Sequence, residues 1–557
     1  MYHVKRIFSL NKPTFSAWTQ AFLGSGLLIV LWGTTIPQAF ALEARSIDGR
    51  NNNIQNPSWG STNSQLLRKV APDYEDGIGE PSGNDRPNVR DVSNTVAAQE
   101  QPIYNKKNAT DMLWQWGQFL DHDIDLTGGN PDDPFPIHIP TGDQYFDPQA
   151  TGIQEMLLSR SVYDPTTGTA ENNPRQQINQ ITAYIDASMV YGSDSIRAAT
   201  LRTLDGTGRL KTSNGNLLPF NTTGLPNEGG PVPTLFVAGD VRANEQVGLT
   251  AMHTLFMREH NRMADLMHHR FPRLGDETIY EAARTWVGAL IQVITYKEFL
   301  PVLLGPNALT PYTGYDSGVN PGITNEFSTA AYRFGHSMLS PELYRLAKNK
   351  KPIPEGHLSM QQAFFAPHRI TQEGGIDPLL RGLASNQAQE VDPYIIEDVR
   401  NFLFGSPGSG GFDLASLNLQ RGRDHGLPSY NEVRLAYGLS PALTFSDITS
   451  NPDVQTRLGS IYENIEQVEV WVGCLAEDHL PGAMVGKLIH TILVNQFERL
   501  RDGDRFFYLN TFPHFQIRIL EATTLADVIR RNTTINREIQ DNVFLLPHKH
   551  HGHHKKR

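Results

Sequence analysis

Apolar positions recur along most of the chain with helical spacing. Leu113, Trp116, Phe119 and Leu120 fall on one stripe, and Thr110 stands ahead of them where it can cap a helix. A second stripe, from about Leu249 to Arg270, carries Met252, Leu255, Phe256, Met263 and Leu266. A third follows Asp276 as N-cap and carries Ile279, Ala283, Trp286, Val287, Leu290 and Ile294. Few segments alternate with the period of two that a half-buried strand requires. Gly- and Pro-rich stretches at 203–234 and 305–324 separate the helical patterns. The expected fold is therefore mainly α: one large helical domain over 106–545, with long loops, little β structure and helices arranged around something buried. Residues 42–105, rich in Asn, Pro, Gly and Asp, read as an extended N-terminal arm with turns.

The two ends read differently. Lys5, Arg6 and Lys12 precede an apolar run from Ala21 to Trp32, and Ala39-Phe40-Ala41 follows. That order is the one expected of a signal peptide over 1–41, cleaved after Ala41. The run is short for a membrane span of ~20 residues, and no later segment reads as apolar enough to cross a bilayer. Residues 546–557 form a His- and Lys-rich tail, read as a disordered basic segment or one that binds a metal or contacts an anionic surface or matrix.

Composition narrows the classes. The chain has 557 residues, 39% hydrophobic and 19% charged, as an ordinary globular protein does. A net charge of -11 argues against nucleic acid as the main partner. Cys474 is the single cysteine, so no intrachain disulfide can form; its apolar neighbours Trp471, Val472 and Leu475 make it a buried, inert thiol. An exported chain without disulfides fits a bacterial-type protein better than an animal one. In that setting the glycosylation-like triplets at Asn108 and Asn221 read as coincidence.

Four segments carry chemistry. In Trp116-Gly117-Gln118-Phe119-Leu120-Asp121-His122-Asp123, residues Gln118, Asp121 and His122 share one helix face. An amide, an acid and an imidazole on an otherwise apolar helix need partners if buried, which points to a site. Arg242 and Glu245 are spaced i, i+3 in Asp240-Val241-Arg242-Ala243-Asn244-Glu245-Gln246. The others are Tyr332-Arg333-Phe334-Gly335-His336-Ser337 and Asn418-Leu419-Gln420-Arg421-Gly422-Arg423-Asp424-His425. His253 and His260 flank Arg258-Glu259, but no zinc-protease motif results, and both read as structural.

In this order the four segments resemble the animal-type haem peroxidases, the group containing myeloperoxidase, lactoperoxidase and peroxinectin. The resemblance runs from about Arg45 past Asp502-Gly503-Asp504-Arg505-Phe506, most of the chain. It implies a buried haem b-derived group and a secreted or periplasmic enzyme. Residue by residue, it makes His122 the distal base, Arg242 the fixed distal charge, and Gln118 the amide that orders water and helps receive a halide or thiocyanate. His336 becomes the iron ligand. Asn418 would accept a hydrogen bond from its second ring nitrogen, and Arg333 and Arg421 would hold the haem propionates. Asp121 and Glu245 match the carboxylates that form ester bonds to the haem, so a covalent link is expected. The residue after Glu245 is Gln246 rather than Met, which rules out a sulfonium link and puts chloride oxidation in doubt. Asp123, the Thr182 and Ser188 hydroxyls, the Tyr184 carbonyl and the Asp186 carboxylate match a calcium site. Alternate positions 182 to 188 would face one ion if that strip is extended. His425 belongs to the signature but receives no catalytic role.

The reaction implied is reduction of hydrogen peroxide through a ferryl haem, then oxidation of a halide, thiocyanate or phenolic donor. A fatty-acid dioxygenase of the cyclooxygenase-like branch is the rival within the family. Those relatives place a Tyr three residues before the proximal His, where this chain has Arg333, with Tyr332 one residue off. An adhesion or matrix-interaction protein on a peroxidase scaffold is the rival outside enzymology.

Overall fold

The computed structural model describes residues 43–547, so the signal peptide reading and all but two residues of the tail lie outside the described residues. Trp116, Phe119 and Leu120 are fully buried, because the first stripe folds as helix α1 (Asp111–Ile124) deep in the molecule. Thr110 occupies the N-cap position, but its hydroxyl donates to the Val543 carbonyl at 2.5 Å and not to the helix. Helix α2 (Val247–Arg270) packs across α1. Phe119 stacks on Phe256 with centroids 5.2 Å apart, and Trp116 lies 5.8 Å from the same ring. Burying each such side chain contributes about 1.5–3 kcal/mol, which fixes the register of the helix that carries His122.

Helix α3 (Asp276–Ile294) packs on α2 and continues through a π turn, Thr295–Phe299, into Leu300–Leu304. Two expectations change here. Gly275 takes the N-cap position, and Asp276 is the first helical residue. Its carboxylate instead accepts from the Gly206 and Gly208 amides and pairs with Arg202 at 2.7 Å. The whole rod, Asp276–Leu304, is also long and apolar enough to cross a membrane by composition, which the sequence reading had excluded for every later segment. Its most apolar window is 72% buried inside the protein, the behaviour of a core helix.

A 3-10 helix (Ala331–Met338) and helices α4 (Leu414–Asp424) and α5 (Lys487–Asp502) complete the frame around the site. Sheet structure among the described residues is limited to four two-stranded antiparallel pairs. The mainly helical expectation stands.

The N-terminal stretch is woven into this core. Arg45 pairs with Asp504 through two hydrogen bonds of 2.8 and 2.5 Å, and Ser64–Gln65 pairs with Ile178–Asn179. Part of it is helical, Val89–Val92 followed by a π turn to Ala97, with Val89, Val92 and Val96 buried. The fully buried Arg90 guanidinium bonds Asp143 and Asp413, each at 2.8 Å. Cys474 is 1% exposed, and burial pushes its thiol well above the usual range.

Candidate active site

A cavity of about 390 Å³ lies between α1, the 3-10 helix and α4, with the segment just before α2 on its wall. Gln118, Asp121 and His122 enter it from α1, Arg242 and Glu245 from the segment before α2, Arg333 and His336 from the 3-10 helix, and Asn418 and Arg421 from α4. The four sequence segments therefore converge on one volume.

Asp240, which the sequence reading passed over, organises the α1 side. Its carboxylate takes both the Nε and Nη2 of Arg242 at 2.9 Å, and it lies 3.5 Å from His122 Nδ1. Burial opposes its ionisation, but the Arg242 guanidinium, by its charge and its hydrogen bonds, holds the Asp240 pKa well below the usual carboxylate range. The spacing Asp240-x-Arg242 was the available signal. Arg242 also donates to the Asp125 carbonyl at 2.9 Å, so its head group is fixed from two sides. Burial, with Arg242 beside it, lowers the His122 pKa well below normal. His122 is thus a neutral imidazole at ordinary pH, and its buried Nδ1 has no hydrogen-bond partner.

Gln118 is held by amides. Its Oε1 accepts from Gln246 at 3.0 Å and Gln115 at 3.3 Å, while its Nε2 donates to Glu245 at 3.1 Å. Gln246 also accepts from the Gly248 amide at 2.6 Å and so caps α2. Gln246 thus clamps Gln118. Asp121 is 30% accessible and Glu245 18%, and both line the cavity. Burial, reinforced for each by nearby carboxylates, raises their pKa values to about 7 and about 8.

On the opposite wall the structure departs from one expectation. Arg333 can only donate; it takes Asn418 Oδ1 at 2.9 Å and the Ser328 carbonyl at 3.0 Å. The amide nitrogen of Asn418 is left facing His336 Nδ1 at 2.8 Å, so Asn418 donates where it was expected to accept. Burial and the neighbouring Arg333 lower the His336 pKa to about 3. Arg333 forms no ion pair within 4 Å among the described residues, and burial with repulsion from Arg421 lowers its pKa to about 10 against the weaker pull of Asp125 and Asp121. Arg421 bonds Asp424 at 2.8 Å, the Ser161 hydroxyl and the Ser159 carbonyl. A guanidinium without an ion pair of its own at a cavity edge suits an anionic group such as a propionate.

The residues expected from the sequence to hold calcium lie directly behind His122. Asp123 accepts from the Ser188 hydroxyl at 2.8 Å and the Ala187 amide at 3.0 Å. Asp186 accepts from the Thr182 hydroxyl at 3.2 Å and the Ser188 amide at 3.0 Å. Tyr184 turns its hydroxyl away to the Trp59 carbonyl at 2.7 Å. The strip is a series of bends with Ala187 left-handed (φ 68°), so folding back, not extension, gathers these oxygens. Burial raises both carboxyl pKa values, reinforced at Asp123 by the charge of Asp186 and opposed at Asp186 by Arg45 and Arg284. Neither carboxylate forms an ion pair within 4 Å among the described residues, although Arg45 and Arg284 act on Asp186 from further off, and no group of three or more His, Cys, Asp or Glu side chains gathers there to hold a metal. Gly239 joins this loop to the Arg242 segment: a Cβ there would lie 2.3 Å from the Ser188 carbonyl oxygen, so only glycine permits the approach.

His253, His260 and His425 are each held by hydrogen bonds. His253 Nδ1 meets the Met189 carbonyl at 3.1 Å, and His260 lies between Tyr191 and the Gly208 carbonyl, both at 2.9 Å. His425 lines the cavity but is locked by Ser161 and Asn325, each at 2.7 Å.

The sequence profile described as animal haem peroxidase matches residues 44–544. The chain belongs to the animal haem peroxidase family. Peroxinectin A of Dictyostelium discoideum is 40% identical over 519 residues, covering 90% of this chain and 96% of that protein. The human peroxidasin homologue is 38% identical over 570 residues, and there the match covers 92% of this chain but only 38% of the relative. The solved structure of peroxidase A from Dictyostelium discoideum superposes with a TM-score of 0.84 at 39% identity, over 90% of this chain and 100% of that one. A rice fatty acid alpha-dioxygenase shares the fold, with a TM-score of 0.75 at 22% identity over 90% and 87% of the two chains. This haem peroxidase is an oxidoreductase that uses haem, hydrogen peroxide and a donor substrate.

Proposed function

We propose that this peroxidase is exported and oxidises a halide other than chloride, thiocyanate or a small phenol. The observation that carries the reading is the meeting of His122, Arg242 and Gln118 with His336 in one cavity. Haem bound there supplies the redox chemistry and accepts oxidising equivalents from peroxide. His336 would hold its iron, with the Asn418 amide turned so that its oxygen accepts from Nδ1–H; that turn would release Arg333 to meet a propionate alongside Arg421. His122, neutral and with a free ring nitrogen, takes a proton from peroxide and returns it to the leaving oxygen. Arg242, pinned by Asp240, offers fixed positive charge where negative charge develops. Gln118 holds water or a small anion beside them. With Gln246 in place of a thioether, chloride is the least favoured donor. Export rests on the leader pattern of 1–41.

The test is the visible spectrum of the mature protein expressed with ample haem. A haem band that shifts with peroxide and returns when bromide or thiocyanate is added supports the reading. A haem-free protein would sink it in favour of the adhesion reading, and peroxide-independent oxygen uptake with a polyunsaturated fatty acid would favour the dioxygenase.

Asp121 and Glu245 would bond the haem covalently; both line the cavity, and burial raises both carboxyl pKa values. Acidic organic solvent should leave haem on the wild-type protein but extract it from an Asp121→Val, Glu245→Gln double variant. Equal extraction from both would rule out ester links. Asp123, Thr182, Tyr184, Asp186 and Ser188 would hold Ca²⁺ and brace the end of α1. Chelation should lower the melting temperature and disturb the haem band, and re-added Ca²⁺ should restore both; an unchanged melting curve would remove the ion from the account.

A further inference from the structure

Tyr332 lines the cavity, yet its buried hydroxyl has no hydrogen-bond partner. A phenylalanine would pack in the same place without leaving a polar atom unsatisfied. From Tyr332 a series of rings leads outward. Its ring centroid is 5.9 Å from Phe497 on α5; Phe497 is 6.3 Å from Tyr296, Tyr296 is 5.4 Å from Phe507, and Phe507 is 5.1 Å from Tyr312. Phe327, stacked on Tyr332 at 4.6 Å and 5.8 Å from Phe497, doubles the first step. The last member, Tyr312, stands half-buried in the 305–324 loop, and its hydroxyl accepts from the exposed Asn510 at 2.7 Å.

We propose that this chain of rings carries oxidising equivalents from the haem cavity to Tyr312, which forms a second, surface oxidation site for electron-rich phenols too bulky to enter the cavity. The proposal rests on peroxide-driven oxidation in the cavity. Proton release decides where the equivalent comes to rest. The Tyr332 hydroxyl has no acceptor, and the Tyr296 hydroxyl donates to the Phe497 carbonyl at 2.7 Å, which is not a base. Burial raises both pKa values well above normal, whereas that of Tyr312 rises only to about 12. Tyr508 branches from Phe507 at 4.7 Å and donates to Glu521 at 2.9 Å, but its ring is buried; of the series, Tyr312 is the member whose hydroxyl sits at an exposed hydrogen bond, where solvent can take the proton. One electron moves inward along the rings, Tyr312 loses that electron and its phenolic proton, and a neutral phenoxyl radical remains at the surface. A phenolic donor then gives Tyr312 one hydrogen atom, restoring the phenol and becoming a phenoxyl radical itself. Two such events supply the two electrons and two protons that convert one peroxide to two waters.

The experiment uses the haem-loaded chain and a single addition of peroxide. A nitroso spin trap followed by peptide mass mapping should place the adduct on Tyr312. In Tyr312→Phe that adduct should vanish, and in Phe497→Leu it should fall. Tyramine coupled to dextran, which cannot enter the cavity, should be oxidised several-fold more slowly by Tyr312→Phe, with thiocyanate turnover unchanged. No adduct at Tyr312 in a sample that turns over thiocyanate normally, or equal rates with tyramine–dextran, would overturn the chain. A sample that does not react with peroxide at all would overturn both the cavity reading and the chain that depends on it.

Discussion

Replacing His122 with Ala should slow the reaction with peroxide by about 10²- to 10⁴-fold and leave haem content unchanged. The size follows from what is lost: a positioned base for the proton that must leave peroxide before its oxygen–oxygen bond can break. Arg242 and Asp240 stay in place, so some electrostatic assistance persists. The pH profile separates this role from simple cavity filling. His122 must be neutral to accept the proton, and burial beside Arg242 holds its pKa well below the usual value. The wild-type rate should therefore stay flat as pH falls through the ordinary histidine range near 6.5 and drop only in stronger acid. Asp240→Asn removes the carboxylate that opposes this lowering, so its acid limb should lie lower still. Stopped-flow rates of the haem-band shift read all three proteins. A His122→Ala rate within a few-fold of wild type would remove His122 from the mechanism.

Replacing His336 with Ala should have the second large effect, on the haem itself. Losing even a partner of a metal ligand costs roughly 10- to 100-fold in metal affinity or activity, and losing the ligand should cost more. If Asp121 and Glu245 bond the haem, the variant will retain pigment but show the spectrum of iron without its imidazole. If they do not, it will purify largely haem-free. Added imidazole should restore part of the wild-type spectrum, because deleting the side chain opens space beside Asn418. A normal spectrum and normal turnover without His336 would refute its assignment as iron ligand.

Much of this was legible from residue spacing. Gln118, Asp121 and His122 share a face at i, i+3 and i+4, and the helix that forms does present them to one cavity. The stripes of Met252, Leu255 and Phe256 and of Ile279, Ala283 and Val287 marked core helices, because burial imposes helical periodicity on apolar residues. What stayed hidden depended on partners far apart in sequence. Asp240 supports Arg242 only because the backbone turns them together. Whether Asn418 shows its oxygen or its nitrogen to His336 depends on a third residue, Arg333. The 182–188 strip gathers oxygen atoms by bending at Ala187, where alternation along an extended strip had been expected. The rod Asp276–Leu304 was passed over as a possible span, although by composition alone such a segment belongs equally to a bilayer and to the centre of a large protein.

The lone thiol has a consequence for durability. An enzyme that activates peroxide must live beside its own oxidant, and thiolates are among the first groups such oxidants consume. Cys474 is buried and held in the unreactive thiol form, and no disulfide exists to be broken or reshuffled. Self-inflicted wear should therefore begin at thioethers. Of the 11 methionines in the sequence, Met360 lines the cavity and meets any escaping oxidant at its source. The working life of each molecule would then be set by the rate of sulfoxidation there rather than by any change in its sulfur crosslinks.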